Sequence, residues 1–450
     1  MSIRPLVVRR WMGTASFARA FFGVFVGTAL FAAAPKTLPA ADAPGSTAAA
    51  ATTAAADDAG ALATVRGQPS WMLRTAQVEL AVTRLGGQMA PVTFYRNSAR
   101  PIAPYYVSPW QGENLPLTVP VEVPLRGDFF CLPFGGNGKA LDGEKQPPHG
   151  ETAGSPWTFV GVSRRGRATT LTLSIAPQVR PGNVTKQLTL VDGQNVIYSR
   201  HLLEGFAGPM PLGHHPTLRM PDDEGALRVS SSPFVYGMTC PVPFSDPEQG
   251  AYQSLAIGRK FSDLRRVPTL WKDPPETDVT RFPSRNGFTD LVAIFKKATT
   301  TPAWMAVANP KEGYLWFSLK NADQLPATVF WIENRGRHNA PWNGRNRCLG
   351  LEDVCAYFAE GLVESVRPNA IAASGIPTAV ALDANRPTAV CHIQGAVRIP
   401  ATFLRVASVE FGPRRIAFVA ADGQRVAAEV DYDFLKSGRI ADSNEAPAPQ

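Results

Sequence analysis

The sequence has few charged residues and no long apolar segment after its first 40 residues. Charged side chains make up 18% of the 450 residues, and the formal net charge is +8. Lys and Arg form no dense run, and this pattern argues against a nucleic-acid-binding protein. No stretch beyond residue 40 is apolar enough over a sufficient length to span a bilayer. We therefore expect no nucleic-acid partner and no membrane span in the mature chain.

Cysteine and histidine are also scarce, with five and six residues respectively. The sequence contains no C-x-x-C motif, which is the usual spacing of a structural zinc site. We accordingly expect no bound metal and no cofactor. An odd number of cysteines leaves at least one thiol without an intrachain partner, and buried free thiols are the commoner outcome.

Glycine and proline are abundant instead, with 38 and 41 residues. Residues 168–178 alternate apolar and polar side chains, and residues 302–334 read as three strands with turns between them. Asp192–Gly193 and Asp422–Gly423 each stand between alternating runs, which predicts two hairpins with type I′ turns. Only residues 351–362 show helical spacing. These patterns predict an all-β fold, namely a large antiparallel β-sandwich with few short helices.

The N-terminal segment differs from the rest of the chain. Four arginines and no acid precede the apolar run at 21–34, and small residues follow near Ala40–Ala43. This order is typical of a signal peptide, which we place at residues 1–42. An uncleaved anchor is the alternative, and Arg9–Arg10 leaves twin-arginine export open beside the general secretory route. We expect an exported protein, either periplasmic or extracellular.

The remaining chain divides by composition. Residues 43–69 are rich in Ala and Thr and should form a disordered linker, because they can bury little apolar surface. Residues 70–400 carry the predicted sandwich, and residues 401–440 add a C-terminal β-hairpin extension. Residues 441–450 form a second disordered tail.

Four short motifs combine Arg, His or Glu with glycine or proline, which are the residues of tight turns. Each motif alone is a weak signal, since a single histidine in a turn more often makes a structural hydrogen bond than a catalytic one. The motifs are Arg126–Gly127, His149–Gly150 with Trp157 nearby, His214–His215–Pro216, and Glu352 two positions after Gly350.

In this order and on this predicted scaffold, the motifs resemble the aldose 1-epimerase (galactose mutarotase-like) superfamily. The similarity covers about residues 75–400 and points to its hexose-6-phosphate mutarotase-like and uncharacterised epimerase-like branches. It implies that His215 is the general acid and Glu352 the general base. It also implies that His149 and Arg126 bind the sugar, or a phosphate in the case of Arg126. The family commonly has an aromatic residue where Thr217 follows the His-Pro pair.

The remaining candidate substrate-binding residues are less closely tied to the family pattern. We expect His214 to shape either the strand or the rim of the cavity beside His215. Trp157 could stack on the C–H face of a sugar, as could Trp331 or Trp342, although core packing explains each of them equally well.

The implied reaction is the interconversion of sugar anomers by ring opening. A base removes the proton of the C1 hydroxyl while an acid protonates the ring oxygen, and neither step needs a cofactor. The expected partner is a small sugar or sugar phosphate, and the protein should be a monomer or homodimer. The alternatives are a non-catalytic carbohydrate-binding protein, an accessory domain of a glycan hydrolase or lyase, and an interaction module. A hydrolase would need two facing carboxylates, whereas Glu352 and Asp353 are adjacent and should point apart.

Overall fold

In the computed structural model, residues 60–441 are described. The predicted signal segment (1–42), the linker up to residue 59 and the tail from residue 442 lie outside the described residues. The α-helices of the described part have four or five residues: α1 (Glu151–Gly154), α2 (Leu362–Val366) and α3 (Phe434–Ser437). Three 3-10 helices of three residues each lie in the same part, at Pro120–Glu122, Pro247–Gln249 and Ala372–Ser374. Within residues 60–441, no helix has the length and hydropathy of a membrane span.

Strands account for most of the regular structure, and every pair of neighbouring strands in the sheets is antiparallel. In chain order they are β1 (Ala63–Val65), β2 (Gln68–Arg74), β3 (Val78–Thr83), β4 (Met89–Phe94), β5 (Phe130–Cys131), β6 (Thr158–Arg165), β7 (Ala168–Ile175), β8 (Asn183–Val191), β9 (Val196–Glu204), β10 (Gly208–Met210), β11 (Leu212–His214), β12 (Thr217–Arg219), β13 (Leu227–Ser231), β14 (Tyr236–Thr239), β15 (Lys260–Phe261), β16 (Val267–Pro268), β17 (Glu276–Thr277), β18 (Arg281–Phe282), β19 (Phe288–Phe295), β20 (Ala303–Asn309), β21 (Tyr314–Lys320), β22 (Ala327–Asn334), β23 (Arg347–Cys355), β24 (Val380–Leu382), β25 (Thr388–Arg398), β26 (Val406–Gly412), β27 (Arg415–Ala420) and β28 (Arg425–Glu429).

Two large sheets form the sandwich. The eight-stranded sheet has the order β15-β14-β19-β22-β23-β11-β5, with β12 also paired to β23. The nine-stranded sheet has the order β18-β13-β20-β21-β25-β9-β8-β7-β6. Two short pairs, β10-β24 and β16-β17, complete the central part. The predicted all-β sandwich with few short helices is therefore confirmed.

Three apolar layers cover the faces of these sheets. The inner layer lies between the two sheets and includes Leu188 and Ile197 from one and Leu349 from the other. A second layer, called here the site-side layer, lies on the opposite face of the eight-stranded sheet and includes Leu291 and Val329. Because both faces of this sheet are covered, its strands are buried almost throughout.

The third apolar layer joins the nine-stranded sheet to the C-terminal segment. Strands β26, β27 and β28 form a separate sheet, followed by α3, where the sequence indicated a single hairpin. Phe317 of β21 meets Phe418 of β27 with ring centroids 5.0 Å apart. We call β26–β28 and α3 the C-terminal module. It covers part of the outward face of the nine-stranded sheet, including β21.

The N-terminal sheet β1-β2-β3-β4 begins earlier than the sequence indicated. β1 and the start of β2 fall inside residues 43–69, which we had assigned to a disordered linker. These residues are ordered because they pair with each other, Ala63 opposite Ser70, and because Arg126 binds the carbonyl oxygens of Val65 and Arg66.

Two local predictions are wrong. Residues 351–362 do not form a helix: β23 continues to Cys355, and α2 begins only at Leu362. The two Asp-Gly hairpins are present, but only the glycines, Gly193 and Gly423, have positive φ there. A type I′ turn needs positive φ at both central residues, so neither turn has that type.

All five cysteines lie in the described part of the chain, and each is buried and without a disulfide partner. Cys131, Cys348 and Cys355 belong to the eight-stranded sheet. Burial raises the pKa of these thiols, so they behave as small apolar side chains.

Candidate active site

Adjacent residues on β11 and β23 point to opposite faces of the eight-stranded sheet. His214 is paired with Asp353 across the two strands, and both side chains are buried toward the inner layer. Since side chains alternate along an extended backbone, His215 and Glu352 lie on the other face. There Nε2 of His215 is 3.0 Å from Oε1 of Glu352. The fold thus brings together the two residues to which the family resemblance assigned acid and base roles.

The imidazole of His215 is held on several sides. Its ring stacks on Phe129 with centroids 4.4 Å apart and planes 18° apart. Its Nδ1 lies 3.1 Å from the hydroxyl of Thr217. Its backbone N–H donates to the carbonyl oxygen of Phe129 and to Oδ1 of Asp128. The departure from the family pattern at Thr217 therefore supplies a hydrogen-bonding group to the imidazole.

Gly350 provides the space that the Glu352 carboxylate occupies. The two residues lie on the same face of β23, two positions apart. A Cβ at Gly350 would lie 2.8 Å from Oε1 of Glu352 and 3.0 Å from Cβ of Trp331 on β22. Glycine at this position therefore allows the carboxylate to fold back toward His215.

A cavity of about 320 Å³ opens beside the His215–Glu352 pair on the site-side face. Its walls are mainly apolar and aromatic, with a few charged groups. The lining includes His149, Phe244, Trp331, Arg337, Trp342 and Glu122. Such a mixture of apolar walls and a few polar groups is typical of small-molecule sites.

Arg337 is the main cation of this cavity, and the sequence reasoning missed it. Its guanidinium lies over the rings of Trp342, Phe244 and Trp331, at 4.7, 5.1 and 5.6 Å from their centroids. Its Nε is 3.5 Å from Oε2 of Glu333. No hydrogen bond of its terminal nitrogens is present within residues 60–441. The clue in the sequence is the aromatic, Arg-rich and Asn-rich stretch 335–347, which carries no recognisable motif.

Glu122 and two tryptophans, Trp331 and Trp342, also lie on the cavity wall. Burial raises the pKa of Glu122, and Arg337 partly opposes this shift. Trp331 and Trp342, considered in the sequence as sugar-stacking residues, both line the cavity and meet edge to face with centroids 5.9 Å apart.

His149 also reaches the cavity, from a turn with positive φ of 58°. Its ring lies edge-on to His215, with centroids 5.1 Å apart, and is enclosed by Phe129 and Phe134. Burial, with a smaller effect from His215, holds the pKa of His149 well below its usual value. The imidazole is therefore neutral at pH 7. Its Nδ1 lies 3.5 Å from Sγ of Cys131, which leaves Nε2 as the nitrogen that can bind a ligand.

Arg126 is not part of this cavity, contrary to the sequence prediction. Its guanidinium is buried and donates to the carbonyl oxygens of Pro124, Val65 and Arg66 and to the side chain of Gln111. Burial lowers its pKa to about 10. Arg126 thus ties the N-terminal sheet to the loop that precedes β5.

Trp157 and His214 also lie outside the cavity lining. Trp157 is buried, and its indole N–H donates to the carbonyl oxygen of Thr152, so it is a core residue. The ring of His214 faces the inner layer, where Nδ1 is 3.0 Å from Oδ2 of Asp128. Strand alternation explains why His214 cannot share a cavity with His215.

Behind the site lies a group that we call the inner polar cluster. It consists of Asp128, His201, His214, Asp353, His392 and Gln394, all buried. The ligand atoms of Asp128, His214 and His392 lie within 4.8 Å of one another. However, the rings of His214 and His392 stack with planes only 18° apart, and their in-plane lone pairs therefore do not converge on a common point. His392 Nε2 is also bound to Asp353, at 2.9 Å.

Solved structures of mutarotase-like proteins resemble this chain. A galactose mutarotase-like protein from Clostridium acetobutylicum has a TM-score of 0.51 at 9% identity, over 75% of this chain and 98% of that one. A galactose mutarotase related enzyme from Lactobacillus acidophilus has a TM-score of 0.47 at 8% identity, over 74% and 98%. No protein-family model matches the sequence, and no curated protein matches it.

The resemblance predicted from the motifs is confirmed at the level of the fold: the chain has the galactose mutarotase-like fold. At such low sequence identity, the structural similarity supports a conclusion about the fold only. The chemistry has to be argued from the residues around the cavity.

Proposed function

We propose that the protein interconverts sugar anomers by acid–base ring opening, with Glu352 as general base and His215 as general acid. The observation that carries this proposal is the 3.0 Å separation of Nε2 and Oε1 at the wall of a ligand-sized cavity. The C1 hydroxyl oxygen and the ring oxygen of a pyranose are bonded to the same carbon. A base and an acid that serve them must therefore be close neighbours.

The hydrogen bonds around His215 fit its role as a proton donor. The Thr217 hydroxyl can donate to the carbonyl oxygen of His215, at 3.3 Å, which leaves its oxygen free to accept from Nδ1–H. The other ring nitrogen, Nε2, faces the Glu352 carboxylate at 3.0 Å. The imidazole is thus held on both sides, with Nε2 at the cavity beside the proposed base.

The substrate that we propose is a monosaccharide or its phosphate. A cavity of about 320 Å³ is at the small end of ligand sites, which suits a single sugar ring. Trp331 and Trp342 offer apolar surface to C–H groups, while His149 and Glu122 can bind hydroxyls. The terminal nitrogens of Arg337 would bind a phosphate if the sugar carries one.

The Glu352→Gln variant tests the catalytic role. We expect ring opening, followed by NMR exchange between the anomers of a panel of aldoses and aldose phosphates, to slow by about 10²-fold or more. Gln keeps the size of the side chain, so sugar affinity should change little. Glu204→Gln on β9, in the other large sheet, is the matched control and should keep the wild-type rate.

Two results would contradict this assignment. A wild-type protein that binds sugars without accelerating exchange is a non-catalytic carbohydrate-binding protein. A Glu352→Gln variant with the wild-type rate would show that Glu352 is not the base.

We also propose that the chain is exported and acts as a monomer or homodimer outside the cytoplasm. The basic and apolar segments before residue 40 support export. Expression of the full chain in a Gram-negative host should give periplasmic or secreted protein that begins near residues 40–43, as read by N-terminal sequencing. Uncleaved protein in the cytoplasm would contradict this. Light scattering gives the oligomeric state.

A further inference from the structure

A second and larger concavity lies on the other side of the molecule from the candidate active site. It has a volume of about 610 Å³ and lies between the outward face of the nine-stranded sheet and the C-terminal module. Its rim is formed by the turn 165–168 between β6 and β7, the turn 413–415 between β26 and β27, and residues 438–441. We call it the arginine groove.

The floor of the groove is polar because the C-terminal module does not cover the whole sheet. Over β21 and β25 the outward face is apolar and packs against the module. Over β7, β8 and β9 the outward residues are instead Thr170, Gln187, Thr189 and Arg200. The two threonine hydroxyls are 2.8 Å apart, and Arg200 donates to the side-chain oxygen of Gln187 at 2.9 Å. The floor therefore presents hydroxyl and amide groups.

The charge of the groove is strongly positive. Glu429 and Asp431 are the acids among its lining residues, and every cation in that lining is an arginine. The arginines are Arg165, Arg167, Arg200, Arg414, Arg415 and Arg439. Like charges held this close raise the free energy of the folded protein unless an anion offsets them.

Several of these guanidinium groups have N–H donors without a hydrogen-bond partner in the described part of the chain. Arg415 and Arg439 are exposed, and their side chains make no hydrogen bond or ion pair within residues 60–441. Nε of Arg200 is buried on the floor without a hydrogen-bond partner. Arg414 uses one nitrogen on the carbonyl oxygen of Ala441. The groove therefore combines unpaired donors at its rim with an unpaired donor at its base.

We propose that the arginine groove binds an acidic oligosaccharide, with sugar carboxylates on the arginines and sugar hydroxyls on the Thr and Gln side chains of the floor. Arginine rather than lysine favours planar oxyanions, because its fork of N–H donors matches a carboxylate in a bidentate way. The volume is nearly twice that of the candidate active site, so it accommodates more than one sugar ring. This inference is independent of the proposed anomer interconversion.

The probe that we choose is a fluorescently labelled tetramer of galacturonic acid, titrated with the purified protein and followed by anisotropy. The double variant Arg415→Ala/Arg439→Ala should weaken binding by at least about tenfold, since it removes two charge-assisted contacts. Arg84→Ala/Arg386→Ala is the matched control, because it removes two exposed arginines that do not line the groove. The control should bind as the wild type does.

Three further measurements make the outcome decisive. A neutral tetramer of galactose should bind at least about tenfold more weakly than the acidic one. Equal binding of polyphosphate or single-stranded DNA of the same charge would show general charge attraction and overturn the proposal. So would a wild type that does not bind the probe, or a rim variant that matches the control. His215→Ala should leave uronate binding unchanged, which separates this site from the catalytic proposal.

Discussion

At Arg126 a single buried guanidinium connects three separate segments of the chain. It donates to backbone carbonyl oxygens before β5 and in the β1–β2 turn, and to the side chain of Gln111. The sequence shows an arginine in a motif to which the family resemblance assigned a sugar-binding role. It does not show that carbonyl groups of distant segments accept the hydrogen bonds of this side chain, because those segments meet Arg126 only in the folded protein.

Arg126→Met should therefore affect stability rather than catalysis. Loss of the guanidinium leaves several buried carbonyl groups without donors, and we expect the free energy of unfolding to fall by about 3–5 kcal/mol. Urea unfolding followed by tryptophan fluorescence measures this, with Arg386→Met as an exposed control. A folded Arg126→Met protein with normal stability and a raised KM for sugar would reverse our assignment.

At the scale of elements, sequence patterns predict the hairpins correctly but fail at β23. The hairpins around Asp192–Gly193 and the three strands of 302–334 are predicted correctly, because their ends are marked by turn residues. β23 is buried on both faces, so it lacks the alternation of a half-exposed strand. The apolar spacing that remains in 351–362 then matches a helix by coincidence.

The same strand supports a test of how the carboxylate is positioned. Gly350→Ala places a methyl group 2.8 Å from Oε1 of Glu352, and the flexible carboxylate should move away from His215. We expect ring opening to slow by about tenfold or more, while unfolding in urea changes by only about 1 kcal/mol. Gly161→Ala on β6 is the control, since no atom lies within 4 Å of the added Cβ. Unchanged catalysis in Gly350→Ala would argue against a fixed Glu352 geometry.

At the scale of the whole molecule, the inner layer is unusual in holding ionisable groups. His201 stacks on Phe130 at 4.0 Å, and both of its ring nitrogens are buried without partners. Asp353 binds Lys320 and His392 between the sheets. The inner polar cluster could not be predicted from the sequence, because its members are scattered over four strands and one loop and meet only when both sheets are assembled.

Buried histidines make the fold sensitive to acid. Burial is the main cause that lowers the pKa of His149, His201 and His214. Well above pH 6.5, the ordinary pKa of histidine, these groups are neutral in both states and have no effect. Below it the unfolded chain binds protons that the native protein cannot, so stability falls. The lowered pKa of Asp353 adds a further loss at lower pH, as the unfolded carboxyl becomes protonated.

The His201→Leu variant isolates one of these contributions. Between pH 7.5 and 5.5, the free energy of unfolding should fall by about 1.4 kcal/mol less in the variant than in the wild type. Urea unfolding at both pH values measures the difference. His338→Leu is the control, because His338 is not buried. An equal loss in all three proteins would show that His201 does not govern the acid response.

The alternation of His214 with His215, and of Asp353 with Glu352, has a consequence for how this protein can diverge. A single-residue insertion or deletion within β11 would turn His215 toward the interior, and one within β23 would do the same to Glu352. Substitutions at the cavity wall leave the His215–Glu352 pair in place, whereas a change in the length of either strand separates it. Homologues that keep this chemistry should therefore vary in loops and wall residues while preserving the spacing along both strands.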